Sequence, residues 1–381
     1  VRVLDLTRLL PGNAATLVLA GLGADVVKVE DPRSGDGTRL APPYAVTGES
    51  GPHLALNRGK RSLAVDLKHP EGRALLLDLV AHAEVLVDSF RPGVLDRLGL
   101  GADALAAANP ALVHVSITAY GDGGMAALPG HDLNAEGYAG LLSLARGPDG
   151  APAMPAVPVA DLTAALQAVV AVLAGLRRAE SGGGGLRADV PMVDAALTLA
   201  TMLSGTVAVT GAAPPSPEVL SGALACYRPY RCADGQWVVC AGLEPKFFGR
   251  TVELLGRPDL AARQYDPAGQ DDLAAELAEL FGALPRAEVL ALLEHDDTCV
   301  SPVHDVAEAM AAAEPRGSIV RVRLADATPV PVVSAVPWLP GAGAGDGATA
   351  PALGADTDLV LAEAGLDAAR VAGLRDAGVI A

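Results

Sequence analysis

Short apolar runs alternate with stretches of helical period through the first half of this chain. That alternation predicts a parallel sheet covered by helices. Residues 1–6 read as a strand, Pro11-Gly12-Asn13 as a turn, residues 14–22 as a helix and residues 24–30 as a second strand. Residues 61–67, 85–88, 112–118 and 187–190 are further strand candidates, with helices expected over 70–83 and 102–108. Proline suits the start of the helix at residue 70, because the first helical N–H has no partner to lose. Asp161 opens a long helix that runs to about Arg178.

The texture changes near Gly222. Tyr227, Tyr230 and Trp237 gather among short strands, and helical patterns follow over 245–255, 271–280 and 287–295. The expected class is α/β: a Rossmann-like parallel-sheet large domain over residues 1–200 and a smaller α+β domain over 222–320. Residues 201–221 are expected as a linker, with a Pro-rich loop at 212–216, and residues 321–381 as a segment returning to the large domain. Within that segment, 341–347 reads as a linker and 356–364 begins a terminal helix.

Apolar residues make up 51% of the 381, enough for a sizeable core, and aromatics only 3%, so helices should pack through small side chains. Lys and Arg total 28 against 45 for Asp and Glu, a formal charge of -17. Such a surface argues against nucleic acid and anionic membranes as partners, while leaving room for a local basic pocket. Cys226, Cys232, Cys240 and Cys299 form no CxxC pair and have no histidine at ligand spacing, so no metal site is expected. They fit a reducing, cytoplasmic setting. The first residues read as a strand and not as a signal peptide. The most apolar segment, 162–176, reads as a buried helix too short to span a membrane.

Gly21-Leu22-Gly23 follows the first helix, and Leu10-Pro11-Gly12-Asn13 lacks GxGxxG spacing. The β-α-β opening is therefore architecture and not a nicotinamide site. What the chain carries instead is an ordered series of motifs. Leu9-Leu10-Pro11-Gly12 comes with Leu22-Gly23-Ala24-Asp25-Val26-Val27-Lys28-Val29-Glu30. Asn57-Arg58-Gly59-Lys60-Arg61-Ser62 and Phe90-Arg91-Pro92-Gly93 follow, then Gly130-His131-Asp132-Leu133-Asn134, Ala160-Asp161 and Leu243-Glu244-Pro245-Lys246-Phe247. Together, over nearly the whole chain, they resemble the family III CoA-transferases and, within that superfamily, the α-methylacyl-CoA racemases.

The resemblance implies the family III CoA-transferase fold, an interlocked homodimer and an acyl-CoA substrate, with no cofactor beyond its CoA moiety. It implies His131 and Asp161 as catalytic bases, Glu244 as support for the histidine and Asp132 as a further acid of the site. It also implies CoA contacts from Arg33, Val65, Asp66, Leu67, Lys68, Arg91, Gly130, Leu133 and Asn134. This chain departs from the pattern at Asp31, where arginine is common, and at Ala135, where the racemases carry tyrosine.

Inverting a stereocentre beside a thioester requires removing a proton from one face and returning one to the other. Two bases flanking a planar enolate meet that need. Histidine has a suitable reference pKa, whereas an aspartate must be raised by burial. The N–H groups of the helix after Asp161 are candidates for stabilising the enolate oxygen. Read singly, Asp161 is an ordinary helix N-cap and His131 a loop histidine. The expectation is thus a 2-methylacyl-CoA racemase. The alternative is a CoA-transferase in which Asp161 forms an acyl anhydride and no histidine base is required.

Overall fold

The chain is described from a computed structural model, which covers residues 1–147, 149–214, 217–339 and 347–381. It divides into two units. The first comprises Val1–Ala139, Pro155–Leu199 and Met310–Ala381, the second Gly140–Met154 and Ala200–Ala309.

In the first unit, β1 (Arg2–Leu6), α1 (Leu9–Gly21), β2 (Asp25–Glu30), α2 (Gly51–Asn57) and β3 (Arg61–Ala64) lead into α3 (Pro70–Val80) and β4 (Val85–Asp88). Next come α4 (Val94–Arg97), α5 (Ala102–Ala108), β5 (Val113–Thr118), α6 (Asp132–Tyr138), α7 (Val159–Glu180), β6 (Leu186–Pro191) and α8 (Met192–Thr198). The six strands form one parallel sheet in the order β3-β2-β1-β4-β5-β6. Helices cover the sheet, so its strands are buried on both faces and read as near-continuous apolar runs. The few polar residues inside them, such as Asp5, Lys28, Asp88, His114 and Ser116, are buried and all have polar partners.

Pro11-Gly12-Asn13 is not a turn but part of α1. Proline is tolerated there because first-turn N–H groups are unpaired in any helix. Gly12 is needed because a Cβ would lie 2.1 Å from Thr7 Cβ. α7 runs over Val159–Glu180, 22 residues, longer than the apolar run alone suggests and, by length and composition, enough to cross a membrane. Its inner face is Ala164, Ala165, Ala168, Val172 and Gly175. These small residues let the helix lie flat on β5; a Cβ on Gly175 would fall 2.5 Å from Val113 Cγ1.

The second unit holds α9 (Thr201–Thr210), β7 (Tyr227–Arg231), β8 (Trp237–Ala241), α10 (Pro245–Leu254), α11 (Gln270–Gly282), α12 (Arg286–Leu293) and β9 (Val300–Pro302). β7, β8 and β9 form an antiparallel sheet. Tyr230 and Phe281 stack in its core at 4.9 Å between centroids. α9 replaces half of the linker expected over 201–221. α13 (Val306–Ala313) precedes an antiparallel hairpin of β10 (Ile319–Arg323) and β11 (Pro329–Val333). α14 (Thr357–Glu363) and α15 (Ala368–Asp376) end the chain, packing Val360, Leu361, Val371 and Leu374 into the core of the first unit. The linker expected over 341–347 lies almost wholly outside the described residues, as do the last residues of the loop at 212–216.

Candidate active site

An open parallel sheet binds ligands beyond the carboxyl ends of its strands, where the strand order reverses. Here that point is between β1 and β4. A cavity of about 440 Å³ opens there, lined by Arg8 and Leu9 after β1, by Phe90 and Arg91 after β4, and by Gly130, His131 and Asp161. A second cavity, about 400 Å³, is lined by Val65, Asp66, Leu67 and Lys68 after β3 and by Asp31 after β2. Arg8 and Phe90 line both cavities, and the Arg8 guanidinium lies 5.7 Å from the Phe90 ring centroid.

The strand ends share one device. Asp5, Asp31, Asp66 and Asp88 each accept, through Oδ1, the N–H two residues on, from Thr7, Arg33, Lys68 and Phe90, every one at 2.9 Å. Such turns bend the chain over the carboxyl edge and aim the following residues at the cavities. The first turned segment is also joined to its surroundings: Arg8 N–H donates to Ser89 Oγ, in the Asp88 turn, at 2.9 Å, and Lys28 Nζ donates to the Thr7 carbonyl at 3.0 Å. Leu9 then enters α1 with φ of 63°, a left-handed conformation rare for a side chain of its kind.

His131 is the N-cap of α6, and its N–H donates to Asn134 Oδ1 at 3.1 Å. Asn134 thus holds the histidine's backbone in place. Gly130 packs against the tip of Tyr120; a Cβ there would sit 2.7 Å from the tyrosine oxygen unless the ring moved. Asp161 is not an N-cap; Pro158 is, and Asp161 is the third residue of α7. Its N–H donates to Asp132 Oδ1 at 3.0 Å, and that of Val159 to Glu136 Oε1 at 3.2 Å. The helix N–H groups expected to be open for an enolate are therefore occupied by two carboxylates, which satisfy the orphan donors and the helix dipole.

Those carboxylates also act on Asp161. Burial, then the charges of Asp132 and Glu136, push its carboxyl up to about 7. Glu136 is itself raised, by burial and by the Asp132 carboxyl beside it. Among the described residues no side chain donates to the Asp161 carboxyl, so it faces the cavity as a free acid–base or nucleophilic group.

The remaining candidates divide. Arg33 is exposed and bridges Asp31 at 3.2 Å and Asp66 at 3.0 Å, so two carboxylates already hold its guanidinium. Arg39 pairs with Glu30 through two bonds, at 2.9 and 2.7 Å. Arg91 has no acidic partner among the described residues. Leu133 is exposed on α6 and lines neither cavity. Glu244 belongs to the second unit, exposed at the N-cap of α10. Sequence reasoning missed Arg8 and Glu136. The signal for Glu136 was its place one helical turn after Asp132, an acid on a face that meets another helix.

The profile of CoA-transferase family III matches residues 1–357. The chain belongs to that family. Succinyl-CoA:glutarate CoA-transferase of Mus musculus is 31% identical over 82% of this chain and 73% of its own length. Acetyl-CoA:oxalate CoA-transferase of Acetobacter aceti is 32% identical over 81% of this chain and 80% of its own. Among solved structures, a CAIB/BAIF family protein from Brucella suis superposes with a TM-score of 0.84 at 30% identity, covering 96% of this chain and 98% of that one. This family III enzyme thus has the expected fold, a parallel-sheet α/β domain with a smaller antiparallel-sheet domain.

Proposed function

We propose that this family III enzyme moves CoA between carboxylic acids, with Asp161 as the nucleophile. The observation that carries the proposal is the unpartnered Asp161 carboxyl lining the cavity at the sheet's switch point. The names of its relatives support the same chemistry. Asp161 attacks the thioester carbonyl, the CoA thiolate leaves, and an acyl-aspartyl anhydride remains. The thiolate opens the anhydride at the aspartyl carbonyl and frees the first acid. An acceptor carboxylate then attacks the aspartyl thioester, and the returning thiolate carries off the new acyl-CoA. Residues 65–68 and Arg91 would hold the CoA end, with Arg8 between the two cavities.

A racemase reading is favoured by one specific feature: His131 lines the same cavity as an aspartate that titrates near neutrality. One preparation separates the two. With succinyl-CoA and a panel of dicarboxylates, the transferase yields new acyl-CoA, and His131→Ala keeps most of that rate. With a 2-methylacyl-CoA in heavy water, the racemase washes deuterium into the α-position, and His131→Ala loses it.

The pH profiles differ too. The nucleophile must be ionised, so transfer should fall about tenfold per pH unit below 7 and level off above it. Racemisation needs one base ionised and one protonated, which gives a bell. A transfer rate flat from pH 5 to 8 would remove Asp161 from the nucleophile's place.

An interlocked homodimer is part of the same proposal. Leu162, Leu166, Val170 and Leu173 form an exposed apolar stripe along α7, with Leu197 and Leu199 also exposed. A stripe of this kind is unusual on a monomer. Light scattering should give about twice the 38.3 kDa chain mass, and Val170→Asp should lower it. A monomer at micromolar concentration would count against the assembly.

A further inference from the structure

Of the four aspartates that close turns at the carboxyl edge, Asp88 is the one braced by a histidine and a serine of the next strand. It is 1% exposed. Its Oδ2 accepts Ser116 Oγ–H at 2.6 Å and meets His114 Nε2 at 2.8 Å, while Oδ1 accepts the Phe90 N–H at 2.9 Å. A carboxylate only accepts, so the His114 proton sits on Nε2. Both donors come from β5, which pairs in parallel with β4, and Ser116 is the register partner of Asp88.

Burying three polar side chains between parallel strands is costly unless every one is satisfied. Apolar residues would serve the sheet equally well there. What the cluster adds is local: with both oxygens engaged, the Asp88 side chain has one orientation, and that orientation fixes the turn carrying Phe90 and Arg91. Phe90 lines both large cavities and carries Arg8 on its ring, and Arg91 lines the first. Asp88, His114 and Ser116 also line a small cavity of about 40 Å³ whose wall includes Phe90 and Arg91.

We propose that Asp88, held by His114 and Ser116, is a positioning residue that presets the Phe90–Arg91 turn for the CoA end of the substrate. This rests on the reading of the substrate as a CoA thioester, which the transferase and racemase chemistries share. The turn is built before the ligand arrives, so binding does not have to order it.

The test uses the full-length protein in two arms. The first is calorimetric titration with free CoA, together with KM and kcat for the acyl-CoA that wild type turns over. The second, without ligand, is hydrogen exchange of the backbone amides of Ser89, Phe90, Arg91 and Gly93. Asp88→Ala should weaken CoA binding and raise KM about ten- to a hundredfold, the loss expected for one buried hydrogen bond to a carboxylate, with kcat changed less than about threefold. Exchange at Phe90 should quicken by a similar factor. Asp88→Asn keeps an Oδ1 acceptor and should recover to within about threefold of wild type, which a role of the negative charge would not predict; the exchange arm separates the turn from bulk packing.

Wild-type exchange of those four amides or an unchanged KM in folded Asp88→Ala overturns the proposal. Should that variant fail to fold, Ser116→Ala, which removes one brace only, must show the same KM-specific loss in weaker form, and a wild-type KM there overturns it as well. If wild type itself does not bind CoA, the substrate reading falls, and the exchange arm alone decides whether Asp88 sets the turn.

Discussion

Asp161→Ala is expected to lower turnover by at least about a thousandfold while leaving CoA affinity within about threefold of wild type. The two halves of this result have separate structural grounds. The carboxyl lines the cavity beside His131, whereas residues 65–68 line the other cavity and make no bond to α7. A steady-state assay and a calorimetric titration on the same preparation decide it. Residual turnover above about a tenth of wild type would place the nucleophile elsewhere. Asp161→Asn carries a further expectation for stability. The folded protein raises this carboxyl to about 7, above its ordinary value of 3.8, so ionising it costs the fold. That cost is complete above pH 7, shrinks as pH falls and vanishes below the unfolded value. The asparagine variant should therefore melt higher than wild type at pH 8 and equally near pH 3. An active site that opposes its own stability in this way is common where a charge is held for chemistry.

The sheet was legible because its strands are buried on both faces: the Val-rich runs at 85–88 and 113–118 have few other readings. The first helix began earlier than its sequence suggested, because Pro11-Gly12 carries turn chemistry until Thr7 is seen packed against Gly12. α9 has no sequence signature of its own: TMLSGTVAVT is apolar without a helical face. The β10–β11 hairpin falls where no strand was expected: Pro329 and Pro331 break the strand pattern of the run, and an edge strand of a two-stranded hairpin tolerates them. The site was legible only as an order of motifs. No spacing in the chain says that His131 and Asp161 share a cavity; that depends on α6 docking its two carboxylates onto the start of α7. The relatives' names then move the weight from racemase to transferase, a distinction the geometry of one histidine and one aspartate leaves open.

The motif residues Lys28, Asn57 and Lys60 do something other than touch substrate. They sit with Asp5 and Asp36 in a closed network beneath the β1–α1 turn. Lys60 Nζ donates to Asp5 at 3.2 Å, Thr16 at 2.7 Å and Asn57 at 2.9 Å. Lys28 Nζ bonds Asn13 at 2.6 Å and pairs with Asp36 at 3.0 Å. Burial works to raise the Asp5 carboxyl, but two ammonium groups and the Thr16 and Thr7 hydroxyls outweigh it and hold it low. Burial, helped by repulsion from the Lys28 ammonium, pulls Lys60 down to about 8 and outweighs the attraction of Asp5 and Asp36.

Asp5→Ala should therefore cost about 3–5 kcal/mol in urea unfolding, the range for stranding a buried charge. Asp25→Ala, which breaks the partly exposed bridges to Arg2 and Arg61, should cost under about 1 kcal/mol. The pH dependence separates a stranded charge from a simple cavity. A lysine whose folded pKa lies below its unfolded 10.5 carries its full penalty below the folded value and loses it as pH rises through that window. Without Asp5 the folded value drops further, so the deficit of the alanine variant should be largest at pH 7 and narrow toward pH 10. A deficit that stays constant across that range would mean that lost packing, and not an uncompensated ammonium, is what the carboxylate prevents.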